Sequence, residues 1–209
     1  MIAIIDYKAG NITSVARALQ SIGESVVITD NIKELNDADR VIFPGVGAAG
    51  EAMNYLRSKK LDTWMKEWIK TGRPLMGICL GTQIILEYSE ENDTKCIGLI
   101  KGATKHFPDN MNDKGGRLKI PHMGWNNLKL KRQHPVFANI PEEAEFYFVH
   151  SYYPTPSDDS VILGLTDYGI SFCSVLASNN LVAMQFHPEK SGRPGLQILK
   201  NFCNWRGND

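Results

Sequence analysis

Gly77-Ile78-Cys79-Leu80-Gly81 brings a thiol to the junction of an apolar run and a helical one, which is the layout of a nucleophile elbow. A strand that turns this sharply into a helix brings neighbouring backbone close, so glycines two before and two after the nucleophile are what the turn needs. Such a turn exposes the Cys79 sulfur, and a helix N-terminus behind it favours thiolate over thiol. An isolated cysteine after a strand is more often a small buried hydrophobe, so the assignment needs a second segment. Gln185-Phe186-His187-Pro188-Glu189 supplies it at the end of the last strand that the sequence predicts. In an extended segment residues two apart face one side, which lets Glu189 reach the His187 ring, fix its tautomer and stabilise the imidazolium. Cys79, His187 and Glu189 are the candidate nucleophile, acid/base and orienting carboxylate of a covalent acyl transfer.

Acyl transfer also needs donors aimed at the developing oxyanion, whose stabilisation is among the strongest effects in such catalysis. The Leu80 N–H, directly after the nucleophile, is one candidate. The Val46 or Gly47 N–H, in the Pro44-Gly45-Val46-Gly47 loop, is the other. The glycines there also let a peptide plane turn over, so that the hole would form only on demand.

The elements that must position these groups follow from the pattern of apolar residues. Ile2 to Asp6 is a short apolar run, Asn11 reads as a helix N-cap, and Val15, Ala16, Leu19 and Ile22 recur at helical spacing until Gly23. Ser25–Thr29 and Asp39–Phe43 read as strands, Glu51–Leu56 and Leu61–Ile69 as helices, Pro74–Ile78 as a central strand, and about Gly81–Tyr88 as a helix. Strands alternating with helices predict right-handed βαβ units and a mostly parallel sheet covered on both faces. Such sheets bind ligands at the carboxyl ends of their strands, where the elbow, the glycine loop and His187 all fall. The second half predicts short strands near Gly98–His106, Trp125–Leu130, Glu145–Ser151, Val161–Thr166, Ser171–Ala177 and Leu181–Gln185, then a helix over Pro194–Trp205. These read as antiparallel additions to one domain spanning residues 1–209, with the polar stretch Asp109–Gly116 as a mobile excursion.

The chain has 209 residues, 43% hydrophobic and 22% charged, which suits a single folded core. Lys+Arg 23 against Asp+Glu 23 gives no net charge, which argues against nucleic acid or an anionic membrane as partner. The uncharged run from Tyr168 to Phe186 is broken by serines and by Asn179-Asn180, so it reads as a hairpin and not as a membrane span. Asp6 interrupts the N-terminal apolar run, and no secretion signal is expected. Cys79, Cys96, Cys173 and Cys203 are widely separated with no metal-ligand spacing, which predicts a reduced, cytoplasmic protein without metal, the last three cysteines in the core.

The triad motifs in this order resemble those of the class I, or triad-type, glutamine amidotransferases. The rest of the chain is similar to the branch formed by the glutaminase subunits of imidazole glycerol phosphate synthase. Ile4-Ile5-Asp6-Tyr7 with Gly10-Asn11, the two glycine segments above, Gln83, Pro121-His122-Met123-Gly124-Trp125-Asn126, Tyr147-Phe148-Val149-His150-Ser151-Tyr152 and Gln185 to Ser191 carry the likeness. The resemblance implies a flavodoxin-like three-layer α/β sandwich around a mostly parallel sheet with added antiparallel strands. It implies hydrolysis of L-glutamine to glutamate and ammonia, no cofactor, and ammonia passed to a (β/α)8 cyclase subunit in a heterodimer. By the same likeness Val46 and Leu80 hold the oxyanion, and Gln83, Ser151 and Tyr152 bind the amino-acid end of glutamine. Met123, Trp125 and Asn126, with Tyr147 and Lys190, are implied to face the partner; Met123 and Trp125 are also side chains that are unfavourable to expose unless covered. Thr82 stands where the family usually has Met, and Lys8-Ala9-Gly10 where Gly-Met-Gly often precedes Asn11. The rivals are the same chemistry serving a sugar-aminating partner, a free-standing γ-glutamyl hydrolase, and a binding module on the same fold that has lost catalysis.

Overall fold

Short β-branched runs and amphipathic helices alternate through the first half, and the computed structural model, which describes residues 1–8, 10–113 and 116–207, folds them as strand–helix units. In chain order these are β1 (Ile2–Ile5), α1 (Ile12–Ser21), β2 (Val26–Thr29), α2 (Ile32–Asn36), β3 (Arg40–Phe43), α3 (Ala49–Ser58), α4 (Leu61–Lys70), β4 (Leu75–Ile78) and α5 (Leu80–Ile84). The four strands pair in parallel in the order β2-β1-β3-β4, and Leu181–Met184 joins β4 in parallel as a fifth. This is the 2-1-3-4-5 order of flavodoxin-like sheets, whose ligand crevice opens where the order reverses, between β1 and β3. Ile170–Ser178, Ile162–Tyr168 and Lys129–Leu130 extend the same eight-stranded sheet with antiparallel pairing.

Side chains alternate across these strands and so divide the core in two. Ile2, Ile4, Ile42, Met76, Ile78, Val182 and Met184 pack on one face against Val15 and Leu19 of α1 and Ile198, Leu199 and Phe202 of the last helix, α6 (Gly192–Asn204). Ala3, Ile5, Val41, Phe43, Leu75, Leu181 and Ala183 pack on the other against Met53 and Leu56 of α3 and Trp64, Met65 and Trp68 of α4. The result is the expected three-layer sandwich. The Asn179-Asn180 turn joins the last two strands, with Asn179 at φ 50°. No helix among the described residues is long and apolar enough to cross a membrane. Cys96, Cys173 and Cys203 lie in the core, where burial pushes each thiol up to about 12.

Several boundaries differ from the sequence pattern for physical reasons. The helix predicted to reach Tyr88 stops at Ile84. The carbonyls of Ile84, Ile85 and Leu86 accept the N–H groups of Ile97, Leu99 and Gly98 at 3.0, 2.7 and 2.7 Å, so a later loop takes the acceptors that helix continuation would need. That loop occupies Gly98–Ile100, and the strand predicted from Gly98 begins at Gly102. The predicted strand Trp125–Leu130 resolves into His122–Asn127, paired along six residues with Glu145–His150, and the separate edge strand Lys129–Leu130. Tyr152–Pro156 also forms a strand, against Gly102–His106, despite two prolines that argue against one in the sequence. In the polar stretch Asp109–Gly116, Asn112–Asp113 pairs with Gly116–Arg117, while Lys114 and Gly115 lie outside the described residues, as does Ala9 in the first loop.

The glycines of the elbow are required by contact. A Cβ on Gly81 would lie 2.0 Å from the Phe43 carbonyl oxygen, and one on Gly77 would lie 2.9 Å from the Ala183 Cβ. Phe43 O belongs to β3 backbone and cannot move aside without breaking sheet pairing. Gly81→Ala should therefore lower the free energy of unfolding by about 3 kcal/mol or more, measured by urea titration, a large value for one methyl group.

Candidate active site

Cys79 follows β4 directly and adopts φ 53°, ψ −109°, a strained conformation for a residue with a side chain. Its N–H donates to Met184 O at 2.8 Å, and the Thr82 hydroxyl donates to the same carbonyl at 2.6 Å. Thr82, where the resembling family usually has Met, thus ties the elbow to the neighbouring strand. α5 is five residues long, so its dipole lends the sulfur less support than the longer helix expected from the sequence would have given.

His187 lies beyond the strand Leu181–Met184, fully buried, with its N–H donating to Tyr147 O at 2.9 Å. Its Nδ1–H donates to Glu189 Oε1 at 2.7 Å, while Nε2 has no hydrogen-bond partner. The carboxylate arrives by a different route from the one expected: Pro188–Lys190 is a 3-10 turn, not an extended segment, and the turn folds Glu189 back onto the ring. Burial disfavours a charged ring here, but the neighbouring Cys79 together with the hydrogen bond to Glu189 and its charge overcomes it and lifts His187 to about 10. The site is thereby arranged to hold a proton on His187.

Asn11 is a residue that motif reading left aside as a helix cap. It does sit at the N-cap of α1, at φ 72°, but its side chain makes no cap hydrogen bond. Instead Asn11 Nδ2 donates to Glu189 Oε1 at 2.5 Å and lies 3.4 Å from His187 Nδ1. Its place after β1, at the crevice where strand order reverses, is the signal that could have singled it out.

A cavity of about 330 Å³ opens over the sulfur and is lined by Val46, Gly47, Cys79, Leu80, Gln83, Glu91, Pro121, Val149, His150, Ser151 and Tyr152. All the residues expected at the oxyanion and the glutamine end are therefore brought to one wall or another of it. The Leu80 N–H, however, already donates to Gly45 O at 3.3 Å, so this candidate oxyanion donor is taken in this arrangement. Val46 and Gly47 N–H donate to no group among the described residues. Turning the Gly45–Val46 peptide would release the first donor and present a second. Gly45 is held in place by contact, since a Cβ there would lie 1.9 Å from the Tyr7 hydroxyl. Glu91 is the second residue that sequence reading missed: Oε2 accepts the Ala49 N–H at the start of α3 at 2.7 Å, and the side chain sets a carboxylate on the cavity wall.

Two buried histidines stand behind the cavity. His150 Nδ1 donates to Tyr152 O at 2.8 Å, which leaves Nε2 to accept from His122 Nδ1 at 3.0 Å, and His122 Nε2 to accept from Asn126 Nδ2 at 3.3 Å. Burial keeps both rings neutral, pulling His122 down to about 4 and His150 to about 3.

Beside the site, strand alternation turns Met123 and Trp125 outward, 62% and 53% exposed. Trp125 meets Tyr147 edge-on at 6.1 Å, and Lys190 Nζ lies 5.9 Å from the Tyr147 ring centre. Asn126 is not brought to this face. It points across the strand, donating to His122 and to Asp167 O at 3.0 Å, because residues one apart on a strand face opposite sides.

Comparison with known proteins agrees with the geometry. The family model for class-I glutamine amidotransferases matches residues 3–205. The imidazole glycerol phosphate synthase subunit HisH of Nitratidesulfovibrio vulgaris Hildenborough is 52% identical over 97% of this chain and 95% of its own. The protein of the same name from Pseudomonas putida KT2440 is 44% identical, over 99% and 98%. Among solved structures, PurLQS from Thermotoga maritima superposes with a TM-score of 0.70 at 20% identity, covering 97% of both chains, a likeness of fold alone. A nucleophile elbow, a buried His–Glu pair and a flavodoxin-like sheet, with a family match across nearly the whole length, place this chain in the class-I glutamine amidotransferase family.

Proposed function

We propose that this chain acts as the glutaminase subunit of an imidazole glycerol phosphate synthase: it hydrolyses L-glutamine to glutamate and ammonia and hands the ammonia to a (β/α)8 cyclase subunit in histidine biosynthesis. The observation that carries the chemistry is the unpartnered His187 Nε2, buried beside Cys79 and backed by Glu189. The choice of acceptor is supported by relatives at 44–52% identity that bear the synthase subunit's name.

The steps follow from the groups in place. With its proton resting on His187 Nε2, Cys79 attacks the carboxamide carbon of glutamine as a thiolate. The oxygen takes up the negative charge and is held by the Leu80 and Val46 N–H groups once the Gly45–Val46 peptide has turned. The imidazolium then gives its proton to the nitrogen, the C–N bond breaks and ammonia leaves a thioester on Cys79. Water, deprotonated by His187, cleaves the thioester; the sulfur leaves as thiolate, glutamate departs, and the proton taken from water stays on His187, which restores the resting pair. Glu189, steadied by Asn11, keeps the ring facing the sulfur throughout. At the far wall, the Glu91 carboxylate suits the substrate ammonium, and Ser151 and Tyr152 offer polar groups to the same end. Both N–H of the Gln83 amide are taken by Tyr152 O and Gln185 Oε1, which leaves its oxygen for the substrate.

Ammonia released into neutral water becomes ammonium, which is no nucleophile, so the exit must be covered. Met123, Trp125, Tyr147 and Lys190 form the face that a partner would cover, an aromatic and thioether centre with a charged rim.

Alone, the chain should hydrolyse glutamine slowly, because its oxyanion hole is closed. Adding the cyclase with its nucleotide ligand should raise turnover on the order of 10²-fold, the worth of one oxyanion donor, and Cys79→Ala should abolish it. Equal turnover with and without the partner would refute the assignment. In the resting chain His187 should hold its proton until about pH 10, and in Cys79→Ala it should release it at a lower pH, since the sulfur's charge is the largest of the effects that raise it. A ¹⁵N NMR titration of the ring nitrogens reads both values.

A further inference from the structure

Gln185 is wholly buried, sits between the last parallel strand and His187, and has no role in the mechanism above. Its side-chain Nε2 lies 3.7 Å from Cys79 Sγ, and its Oε1 accepts from Gln83 Nε2 at 3.1 Å. The direction of this chain is set at its far end. The Tyr152 carbonyl can only accept, so the Gln83 amide that meets it at 2.9 Å must present its NH₂ group. The second hydrogen of that group points to Gln185, which must answer with oxygen, and the Gln185 NH₂ is thereby turned onto the sulfur. Reversing Gln185 would set two NH₂ groups face to face, and reversing Gln83 would oppose two carbonyl oxygens; either leaves buried polar groups unpaired. The Tyr152 carbonyl is itself fixed, since it also takes the His150 Nδ1–H at 2.8 Å.

We propose that Gln185 is a further catalytic residue, whose side-chain N–H donates to the Cys79 sulfur and stabilises its thiolate, with Gln83 as the positioning residue that sets its direction. This rests on the reading of Cys79 as nucleophile. As a thiol, Cys79 can turn its S–H toward Val149 O, 3.9 Å away, and gains little from an amide. Once the proton has gone to His187 the sulfur only accepts, and hydrogen bonds to an ionised acceptor are about twice as strong as neutral ones. The titratable groups around the sulfur are His187 beyond the last parallel strand, Tyr7 in the loop after β1, and His150 and Glu91 on the cavity wall. Of these, His187 alone brings positive charge, and a five-residue helix adds little, so a neutral donor held on the sulfur has a place to fill.

The test is the pH dependence of iodoacetamide alkylation of the full chain, followed by mass spectrometry on the peptide carrying Cys79. Gln185→Met should move the midpoint up by about one pH unit, a tenfold slower reaction on the acidic limb. Gln185→Glu keeps the volume and still accepts from Gln83, yet offers the sulfur no N–H, and should move it the same way. Gln83→Leu, which touches no sulfur, should produce a smaller rise by letting the Gln185 amide lose its direction. An unchanged midpoint in folded Gln185→Met, or in Gln185→Glu where the first does not fold, overturns the proposal. Failure of the nucleophile reading looks different: Cys79→Ala would keep its glutaminase activity.

Discussion

The carbonyl of Met184 accepts the Cys79 N–H and the Thr82 hydroxyl, and the geometry of the whole site is measured from that point. Parallel pairing of β4 with Leu181–Met184 lays the nucleophile segment beside the histidine segment, although more than a hundred residues separate them in the chain. Both strands end at the same level, so Cys79 leaves one and Gln185 to Glu189 leave the other side by side. The close approach of β3 completes the arrangement, because Gly81 must pass the Phe43 carbonyl and the same strand then delivers the glycine loop. The same loop after β1 that supplies Asn11 also packs on this loop, with a Cβ on Gly10 falling 3.2 Å from Val46. Four strand ends thus meet in one crevice, and displacing any of them moves a reacting group.

The electrostatics of the site are dominated by burial. His187 and Glu189 are wholly inside the protein, where an isolated charge is strongly disfavoured. A buried ring can hold a proton only when charges of opposite sign and hydrogen-bond acceptors are fixed around it, and Cys79 and Glu189 supply them. Asn11 matters for the same reason. It gives the carboxylate a donor that does not titrate, which holds Glu189 in position without adding charge. His122 and His150 show the converse: in equal burial but without a carboxylate they are neutral, and they serve as oriented dipoles behind the cavity.

Most of the parallel half of the fold is legible in the sequence, because β1, β3 and β4 are short, largely apolar runs with a glycine or asparagine within a few residues of their ends, and the pattern beyond them turns helical. The meeting of the candidate triad residues is legible because they lie in two short motifs at strand ends. What the pattern could not convey is competition for backbone acceptors. The helix from Leu80 has residues suited to continue, and it stops because the carbonyls of Ile84, Ile85 and Leu86 are claimed by a loop a dozen residues on. Likewise Asn11 has the residue type and position of a cap, and its side chain is drawn off by a carboxylate distant in sequence. Glu91 carries no motif at all, and its carboxylate is set on the cavity wall by accepting the Ala49 N–H at the start of α3. Asn126 belongs to the segment implied to face a partner, yet alternation along its strand turns it inward. The residues that sequence misassigned are those whose partners come from elsewhere in the chain.

The hydrogen bond from the Leu80 N–H to Gly45 O, which closes the proposed oxyanion hole, follows from the same competition among polar groups. A Leu80 N–H left unpaired in a nearly buried site would cost roughly 1–3 kcal/mol, and the Gly45 carbonyl removes that penalty at once. The resting chain therefore satisfies the proposed oxyanion donor with its own backbone. Opening the hole exposes that donor and turns a peptide, a change that favours the closed form until substrate charge or contacts made elsewhere offset it. Gly47, already at φ 103° and with nothing within 4 Å of where a Cβ would stand, leaves room for the turn. Under the proposed function, a hole that opens only when glutamine and partner are both present wastes no ammonia to water. The backbone that closes the site and the exposed aromatic face that awaits a cover are then two parts of one constraint, that ammonia be made only where it can be used.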